Sequence, residues 1–206
     1  PTIEHIDPVR VITNQSTGKT GVLLASEFVS AGCQVTLIYG PGTEIPPKGA
    51  KVIRVQTSTE MSNSLRKEMG QKHDIVILAA AASDYTLEKP YKTKLNSDLS
   101  RISLKLKRVP KMINDVKKIQ RDIFLVGFKA ETNVSKKDLI RKAREKITQS
   151  SCDLVIANDI GTKRYKKNPD YNNVISVDLK TFKESGWKTK TKVVKFIRNE
   201  IEKRID

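Results

Sequence analysis

The sequence has few of the residues from which proteins build metal sites, disulfides and catalytic triads. Its 206 residues include two cysteines, two histidines and only 5% aromatic residues. Cys33 and Cys152 have no metal-type spacing to each other or to His5 and His73, so we predict buried, reduced thiols in a cytoplasmic protein. The sequence also has no Ser-His-Asp pattern, which excludes the commonest hydrolase chemistry.

Long hydrophobic runs are absent as well. No apolar stretch approaches the ~20 residues that a membrane helix requires, and the opening stretch, PTIEHIDPVR, is too polar for a secretory segment. We therefore expect no membrane partner.

Acidic residues are in the minority. The sequence has 23 Asp and Glu against 39 Lys and Arg, a net charge of +16. This charge suits a nucleic-acid-binding domain, which we keep as an alternative. However, the lysines are spread over the chain, and no stacking platform, zinc module or recognition helix accompanies them. A basic surface also attracts polyanionic small molecules, so we expect no nucleic-acid partner.

The order of apolar segments predicts the fold. Short β-branched runs alternate with helical patterns, which is typical of an α/β protein with a Rossmann-like, doubly wound, mostly parallel sheet and helices on both faces. We expect one domain over residues 1–206. Strands are predicted at 34–40, 51–56, 74–82, 123–130 and 153–159, and helices at 17–31, 58–71, 110–120, 136–149 and 192–205.

Two segments interrupt this alternation. Residues 83–109 begin as a charged loop, for which we predict a lid at about 85–100. Ile102, Leu104 and Leu106 then alternate with polar residues, which predicts a half-exposed strand. Residues 161–189 contain one strand-like run, NNVISVDL.

The stretch TNQSTGKTG ends in the letters of a P-loop but is not one. The P-loop pattern requires glycine where Thr13 stands. The stretch still opens a helix, which Ser16 or Thr17 could cap, and Gly18 and Gly21 allow a ligand to approach the backbone of an anion-binding helix terminus.

Polar residues follow three predicted strands, at Asp84, at 128–132 and at 158–159. Ligands of such sheets bind at the carboxyl ends of the strands. With the loop lysines Lys89, Lys92 and Lys94, this arrangement suits nucleotide-dependent group transfer. A dinucleotide-binding reductase is a further alternative, which the incomplete glycine fingerprint disfavours.

Six motifs in this order carry a resemblance to a known family: IDPVRVITNQSTGKTG, AAAASDY, YKTKL, LKRVPKMI, LVGFKAET and CDLVIAND. Together they resemble phosphopantothenoylcysteine synthetase, also called phosphopantothenate–cysteine ligase, of coenzyme A biosynthesis. The resemblance implies that CTP, or ATP as in eukaryotic members, activates 4′-phosphopantothenate as an acyl-nucleotide that L-cysteine then attacks. It also implies Mg²⁺, a homodimer formed through a small strand region, and fusion to or association with a flavin-dependent decarboxylase.

The resemblance assigns roles to individual residues. It implies catalytic roles for Asn14 and Lys92, although Lys94 or Lys89 could replace Lys92, and it implies that Arg10 reaches the neighbouring subunit's site. Asp84 is a possible metal ligand. The implied substrate-binding residues are Arg10, Asn14, Ala80, Ala81 and Asp84. The implied nucleotide-binding residues are Ser16, Gly18, Gly21, Asp84, Lys92, Pro110, Lys111, Met112, Ile113, Phe128, Lys146 and Asn158.

Simpler roles remain open for two of these residues. Asn14 could form an Asx turn, and Phe128 could be a core aromatic. The sequence also departs from the family pattern twice. Family members begin with a strand and a glycine-containing turn that is incomplete at Pro1-Thr2, so we expect that strand to be missing. Ser150 replaces a nucleotide-contacting lysine, for which Lys142 could compensate, and this weakens the assignment of CTP over ATP.

Overall fold

The computed structural model describes residues 1–205 and has the predicted α/β architecture. The strands are β1 (Ile3–His5), β2 (Val11–Thr13), β3 (Thr36–Tyr39), β4 (Lys51–Arg54), β5 (Ile75–Leu78), β6 (Tyr85–Leu87), β7 (Leu106–Arg108), β8 (Phe124–Glu131), β9 (Leu154–Asp159), β10 (Tyr171–Asn172), β11 (Val174–Val177), β12 (Phe182–Glu184) and β13 (Lys188–Thr189). The helices are α1 (Lys19–Ser30), α2 (Ser58–Glu68), α3 (Ile113–Ile119), α4 (Lys136–Ser150), α5 (Lys163–Lys167) and α6 (Lys190–Ile205).

The main sheet has five strands in the order β12, β11, β9, β8, β5. β5, β8 and β9 are parallel to one another. β11 is antiparallel to β9, and β12 is antiparallel to β11. β3 and β4 form a separate parallel pair. The pairs β1–β2, β6–β7 and β10–β13 are antiparallel. The strands that alternate with helices are thus parallel, as the order of apolar segments predicts.

Helices cover both faces of the main sheet. On one face, apolar residues of α3 and α4 form a cluster with β8, β9 and β11. On the other face, α1 and α6 form a second cluster with the same strands. Val194, Ile197 and Ile201 of α6 are at most 1% exposed, which confirms the predicted face of the last helix. Burial of each such side chain contributes about 1.5–3 kcal/mol.

Within the described residues, β3 and β5 each pair with a neighbouring strand on one side only, so the other edge of each strand is open. In a parallel pair, alternate residues direct both backbone groups toward the partner. The bonds of the β3–β4 and β5–β8 pairs leave the backbone groups of Thr36 and Ile38 in β3, and of Ile75 and Ile77 in β5, pointing away from their partners. Ile75 and Ile77 lie in the apolar cluster of α1, which also contacts β3. Helix α1 therefore packs on the face of the sheet beside both open edges.

Three sequence predictions are wrong in detail. β5 ends at Leu78, and the alanines that follow it form a loop. Of the strand predicted from Ile102 to Leu106, only Leu106 lies in a strand, β7, which pairs with β6 over three residues. The buried side of this hairpin is occupied by Leu87 of β6. Ile102 and Leu106 are each 45% exposed. The loop therefore runs over residues 88–105 and not 85–100.

Residues 161–189 are more structured than the single strand-like run predicted. They contain α5, β10, β11, β12 and β13, which are elements of two to five residues and too short to show a hydrophobic period. The prediction for the cysteines is half correct. Cys152 is buried, but Cys33 is exposed, because Gly32 turns the chain outward at the end of α1 with φ of 83°.

Candidate functional site

The polar segments that follow β5, β8 and β9 lie at one edge of the main sheet. The parallel register pairs Leu78 with Gly127 and Glu131 with Asp159. Residues 79–84 therefore leave the sheet beside Gly127, whereas residues 128–131 and 158–159 form the paired ends of β8 and β9 at the same edge. This edge is where ligands of open α/β sheets bind.

Asn14 joins the start of α1 to this edge. Its Nδ2 atom donates to the carbonyl oxygens of Ala81, at 3.2 Å, and Ala82, at 3.0 Å. The side chain thus bridges segments 67 residues apart and does not form a local Asx turn. Because the amide nitrogen is used twice, the exposed Oδ1 atom of Asn14 remains as an acceptor at the surface of the site.

The loop before α1 is held by short-range hydrogen bonds. Ser16 Oγ accepts from the Gly18 backbone at 3.3 Å, and Thr17 Oγ1 accepts from Lys19 at 3.2 Å. Gly18 has a left-handed conformation with φ of 83°, and a Cβ atom there would lie 2.8 Å from the Tyr39 ring. Gly21, in contrast, has no atom within 4 Å of the position of a Cβ. The two glycines therefore have different structural constraints.

This difference gives a paired prediction. We expect Gly18→Ala to destabilise the fold by at least ~1–2 kcal/mol, because alanine is strained at positive φ and contacts Tyr39. We expect Gly21→Ala to stabilise helix α1 by about 0.5–1 kcal/mol. If Gly21 admits a nucleotide, the same variant should raise the KM for nucleotide roughly tenfold, equivalent to ~1.4 kcal/mol. Thermal melts and nucleotide titrations check both effects, and an unchanged KM would remove Gly21 from the nucleotide site.

Lys146 of α4 reaches over β8 toward the same edge. A Cβ atom on Gly127 would lie 3.2 Å from Lys146 Cε and 3.1 Å from both Cys152 Sγ and Ile113 Cδ1, so the glycine leaves room for the lysine. Burial lowers the pKa of the Lys146 ammonium, and the positive charges of Lys111 and Lys129 lower it further. Within the described residues, no carboxylate forms an ion pair with it. A partly desolvated, unpaired cation of this kind is suited to bind an anion.

Other predicted nucleotide contacts are distributed around this lysine. Pro110 and Lys111 are exposed, Met112 precedes α3, and Ile113 is buried against Gly127. Phe128 packs with the α1 and α6 cluster, on the opposite face of the sheet from Lys146. The structure thus supports a core role for Phe128 and does not place its ring beside Lys146.

Asn158, another predicted nucleotide contact, is 9% exposed and donates to Asn172 Oδ1 at 3.3 Å. The next residue, Asp159, accepts from the backbone N–H groups of Asn133, Val134 and Gly161. These bonds fasten the loop after β8 to the loop after β9. The last two residues of β9 therefore hold the rim of the site.

The loop of residues 88–105 is tethered to the turn between β1 and β2. Asp7, which is 1% exposed, accepts from the backbone of Leu95 at 3.1 Å and pairs with Arg10 Nη1 at 2.8 Å. Arg10 Nη1 also donates to the Leu95 carbonyl at 3.2 Å. In the described chain Arg10 thus contacts its own loop. Lys92 and Lys94 are exposed beyond this anchor, as is Lys89.

The Asp7 carboxylate gives a pH-dependent prediction. Burial raises its pKa, but hydrogen bonds from the backbones of Leu95, Val9 and Arg10, with the Arg10 charge, lower it from 3.8 to about 2. A lowered folded-state pKa stabilises the protein above the unfolded pKa, and the contribution is lost as pH falls through the folded pKa. We therefore expect the anchor to weaken between about pH 4 and 2.

The variant Asp7→Asn should expose residues 88–105 to protease already at pH 7. It should also lose less stability than the unsubstituted protein as the pH falls from about 4 to 2. Limited proteolysis and acid titration followed by circular dichroism measure the two effects. Asp178→Asn is the control, because the pKa of Asp178 is also about 2 but its hydrogen bonds hold residues 180 and 181 and Arg204 instead. Equal loop cleavage in both variants would contradict a specific anchor.

Comparison with known proteins identifies the family. The sequence profile described as DNA/pantothenate metabolism flavoprotein C-terminal domain matches residues 1–205. The chain belongs to this family. It is 38% identical over 205 residues to the coenzyme A biosynthesis bifunctional protein CoaBC of Thermococcus kodakarensis, covering 99% of this chain and 49% of the relative. The chain thus spans about half the length of this curated relative.

Solved structures of related proteins have the same fold. The DNA/pantothenate metabolism flavoprotein of Streptococcus pneumoniae superimposes with a TM-score of 0.87 at 26% identity, over 98% of this chain and 95% of that chain. A mutant of Cab2 in complex with phosphopantothenate-cysteine superimposes with a TM-score of 0.77 at 18% identity, over 100% of this chain and 83% of that chain. The family resemblance recognised in the sequence motifs is thus confirmed.

In residues 1–205 of this family member, no three His, Cys, Asp or Glu side chains lie close enough together to hold a metal ion. A metal site formed by protein side chains alone is therefore absent from these residues. Asp84 ends the loop between β5 and β6 and has an exposed side chain. Mg²⁺ commonly uses one or two carboxylates together with substrate phosphates. Asp84 therefore fits a site that is completed by a nucleotide.

None of the helices in residues 1–205 is long and apolar enough to cross a membrane.

The family motif LVGFKAET contains two residues that the sequence analysis did not single out. Lys129 and Glu131 form an ion pair of 2.7 Å, and Glu131 also pairs with Lys142 at 2.7 Å. The period of two along a strand was the signal that could have placed both on one face of β8.

An open groove of about 1100 Å³ lies on the outer side of α4 against Phe182 and includes none of the predicted site residues.

Proposed function

We propose that this chain joins 4′-phosphopantothenate to L-cysteine in coenzyme A biosynthesis. In the first step, the carboxylate attacks the α-phosphorus of CTP, and pyrophosphate leaves as the acyl-cytidylate forms. In the second step, the cysteine amine attacks the acyl carbon, loses a proton, and cytidine monophosphate leaves. The alternative is the same reaction with ATP. Membership of the family and the similarity to CoaBC, a coenzyme A biosynthesis protein, support this assignment, as does the fold shared with Cab2, which binds phosphopantothenate-cysteine.

The observation that carries the proposal is the tether of Asn14 to Ala81 and Ala82 beside a cationic edge. The tether holds a polar amide at the alanine segment that the resemblance assigns to phosphopantothenate. Lys146 approaches the same edge with an unpaired ammonium, and the charge of Asp84 acts on its pKa. The arrangement thus combines one amide acceptor, cations and a carboxylate, as activation of an acid by a nucleotide requires.

We assign the roles from the family resemblance together with this geometry. Lys146 and Lys111 bind the nucleotide phosphates, and Lys92 on the tethered loop stabilises the charge that develops during acyl-nucleotide formation. Asn14 Oδ1 accepts a hydrogen bond from the cysteine amine and orients its lone pair, since Nδ2 is already engaged. Mg²⁺, held by Asp84 and the phosphates, would neutralise charge on the departing pyrophosphate.

We also propose a homodimer, as the resemblance implies. The β1–β2 and β6–β7 hairpins contact each other and expose apolar side chains that a second copy would cover. Their exposed fractions are 67% for Val9, 40% for Val11, 48% for Tyr85 and 45% for Leu106. Arg10 lies at this surface, from which it could reach a neighbouring site. Fusion to or association with a flavin-dependent decarboxylase follows the bifunctional relative.

One assay tests the function. The protein is incubated with Mg²⁺, phosphopantothenate, cysteine and either CTP or ATP, and release of pyrophosphate is followed. We expect release to require phosphopantothenate, and release of the monophosphate to require cysteine as well. The preferred nucleotide is the one with the higher kcat/KM. Absence of release with both nucleotides, or release that does not depend on phosphopantothenate, would count against the ligase.

A further inference from the structure

Four lysines lie near one another at the edge of β8 and α4, and two of them share one carboxylate. Along β8, Gly127, Lys129 and Glu131 share the face that α4 covers, because successive side chains of a strand alternate. On α4, Lys142 and Lys146 lie one turn apart and face this row.

The charges at this face do not balance. Glu131 is the carboxylate that Lys129 and Lys142 share, each at 2.7 Å. Lys111 and Lys129 are close enough to Lys146 for their charges to lower its pKa. The charge of Asp84 also acts on Lys146, so four cations and two carboxylates leave a local charge of about +2, which a bound polyanion would neutralise.

The carboxylate keeps two of these cations in place. Hydrogen bonds from Lys129 and Lys142 lower the pKa of Glu131, so its carboxylate is ionised throughout the neutral range. Only 17% of the Glu131 side chain is exposed, against 34% for Lys129. The ammonium group of Lys129 is therefore held at the edge of the site while remaining accessible. A lysine held in this way loses less conformational entropy when it binds phosphate.

We propose that Lys129 is a further phosphate-binding residue of this site and that Glu131 is its positioning residue. This inference rests on the proposed function, because it names another contact of the same nucleotide. Lys129 binds the phosphates together with Lys146. Glu131 does not touch the nucleotide and acts by fixing the direction of the Lys129 side chain.

The test measures binding of inorganic tripolyphosphate by calorimetry, along with the KM for nucleotide. Lys129→Met should weaken tripolyphosphate binding about tenfold and raise KM similarly, with little change in kcat. Glu131→Gln should also weaken binding, although it removes a negative charge near a polyanion. If Glu131 acted only by repelling the polyanion, Glu131→Gln would bind tripolyphosphate more tightly. Tighter binding by this variant would therefore overturn the positioning role.

Two further variants complete the design. The double variant Lys129→Met, Glu131→Gln should bind no more weakly than Lys129→Met alone, because the inference assigns the effect of Glu131 on phosphate binding to Lys129 and not to Lys142, its other partner. Lys137→Met removes an exposed lysine of α4 that lies outside this cluster and should change nothing. Additive effects in the double variant would contradict the inference.

Failure of this inference can be told from failure of the proposed function. A ligase in which Lys129→Met binds tripolyphosphate normally would overturn the inference alone. A protein without ligase activity in which tripolyphosphate binding depends on Lys129 and Glu131 would support the phosphate site while overturning the ligase.

Discussion

Replacing Asn14 by alanine should reduce formation of phosphopantothenoylcysteine by about 100- to 1,000-fold, the usual effect of losing one positioned polar contact at a reacting centre. Pyrophosphate release in the first turnover should be affected much less, because the proposed contacts to the phosphates are lysines and not Asn14. The acyl-nucleotide should therefore accumulate. Quenched single-turnover reactions analysed by chromatography would measure the intermediate and the product separately.

A second substitution at this position separates the tether from the acceptor. Asn14→Asp keeps an acceptor oxygen but places a carboxylate against the carbonyls of Ala81 and Ala82, which repel it. We expect this variant to displace the alanine loop and to lose activity as well. Gln15→Ala is the matched control, since Gln15 is the exposed neighbour in the same loop. Normal product formation by Asn14→Ala would exclude the proposed role in the second step.

Replacing Lys146 by methionine should lower kcat/KM for the nucleotide about 100-fold, because a charge-assisted hydrogen bond contributes ~1.5–3 kcal/mol. The same change should leave the melting temperature unchanged or raise it. Since the folded environment lowers the pKa of Lys146, its charge is less favourable in the folded than in the unfolded chain. Methionine keeps most of the methylene packing over Gly127 and removes that charge.

Opposite changes in stability and activity are the distinguishing result for Lys146. Calorimetry without ligand measures stability, and steady-state kinetics at several nucleotide concentrations measure activity. Lys137→Met on the same helix should alter neither. A large drop in melting temperature with unchanged kinetics would assign Lys146 to the fold instead of the nucleotide.

The main elements of the fold were predictable because each depends on local periodicity. The β-branched runs before Gly127 and Asn158 mark buried parallel strands, and the spacing of Val194, Ile197 and Ile201 marks one face of a helix. The position of the site followed from topology, since parallel strands bring their carboxyl ends to one edge.

Long-range pairings were not predictable in the same way. Nothing in the sequence near Asn14 indicates that its amide bonds to Ala81 and Ala82, and nothing near Asp7 indicates that it anchors Leu95. These contacts depend on how loops meet in three dimensions. Phe128 was ambiguous for a related reason, because an aromatic residue at a strand end is equally suited to a core and to a nucleobase.

The open edges of β3 and β5 determine where backbone amides are least protected. Amides of β8 and β9 are bonded within the main sheet and should exchange with deuterium only on extensive unfolding. Within residues 1–205, the amides of Ile38 and Ile77 point away from the paired strand and donate to no other strand, and both residues are only partly buried. We therefore expect hydrogen exchange within the sheets to begin at these two edges and to reach β8 and β9 last.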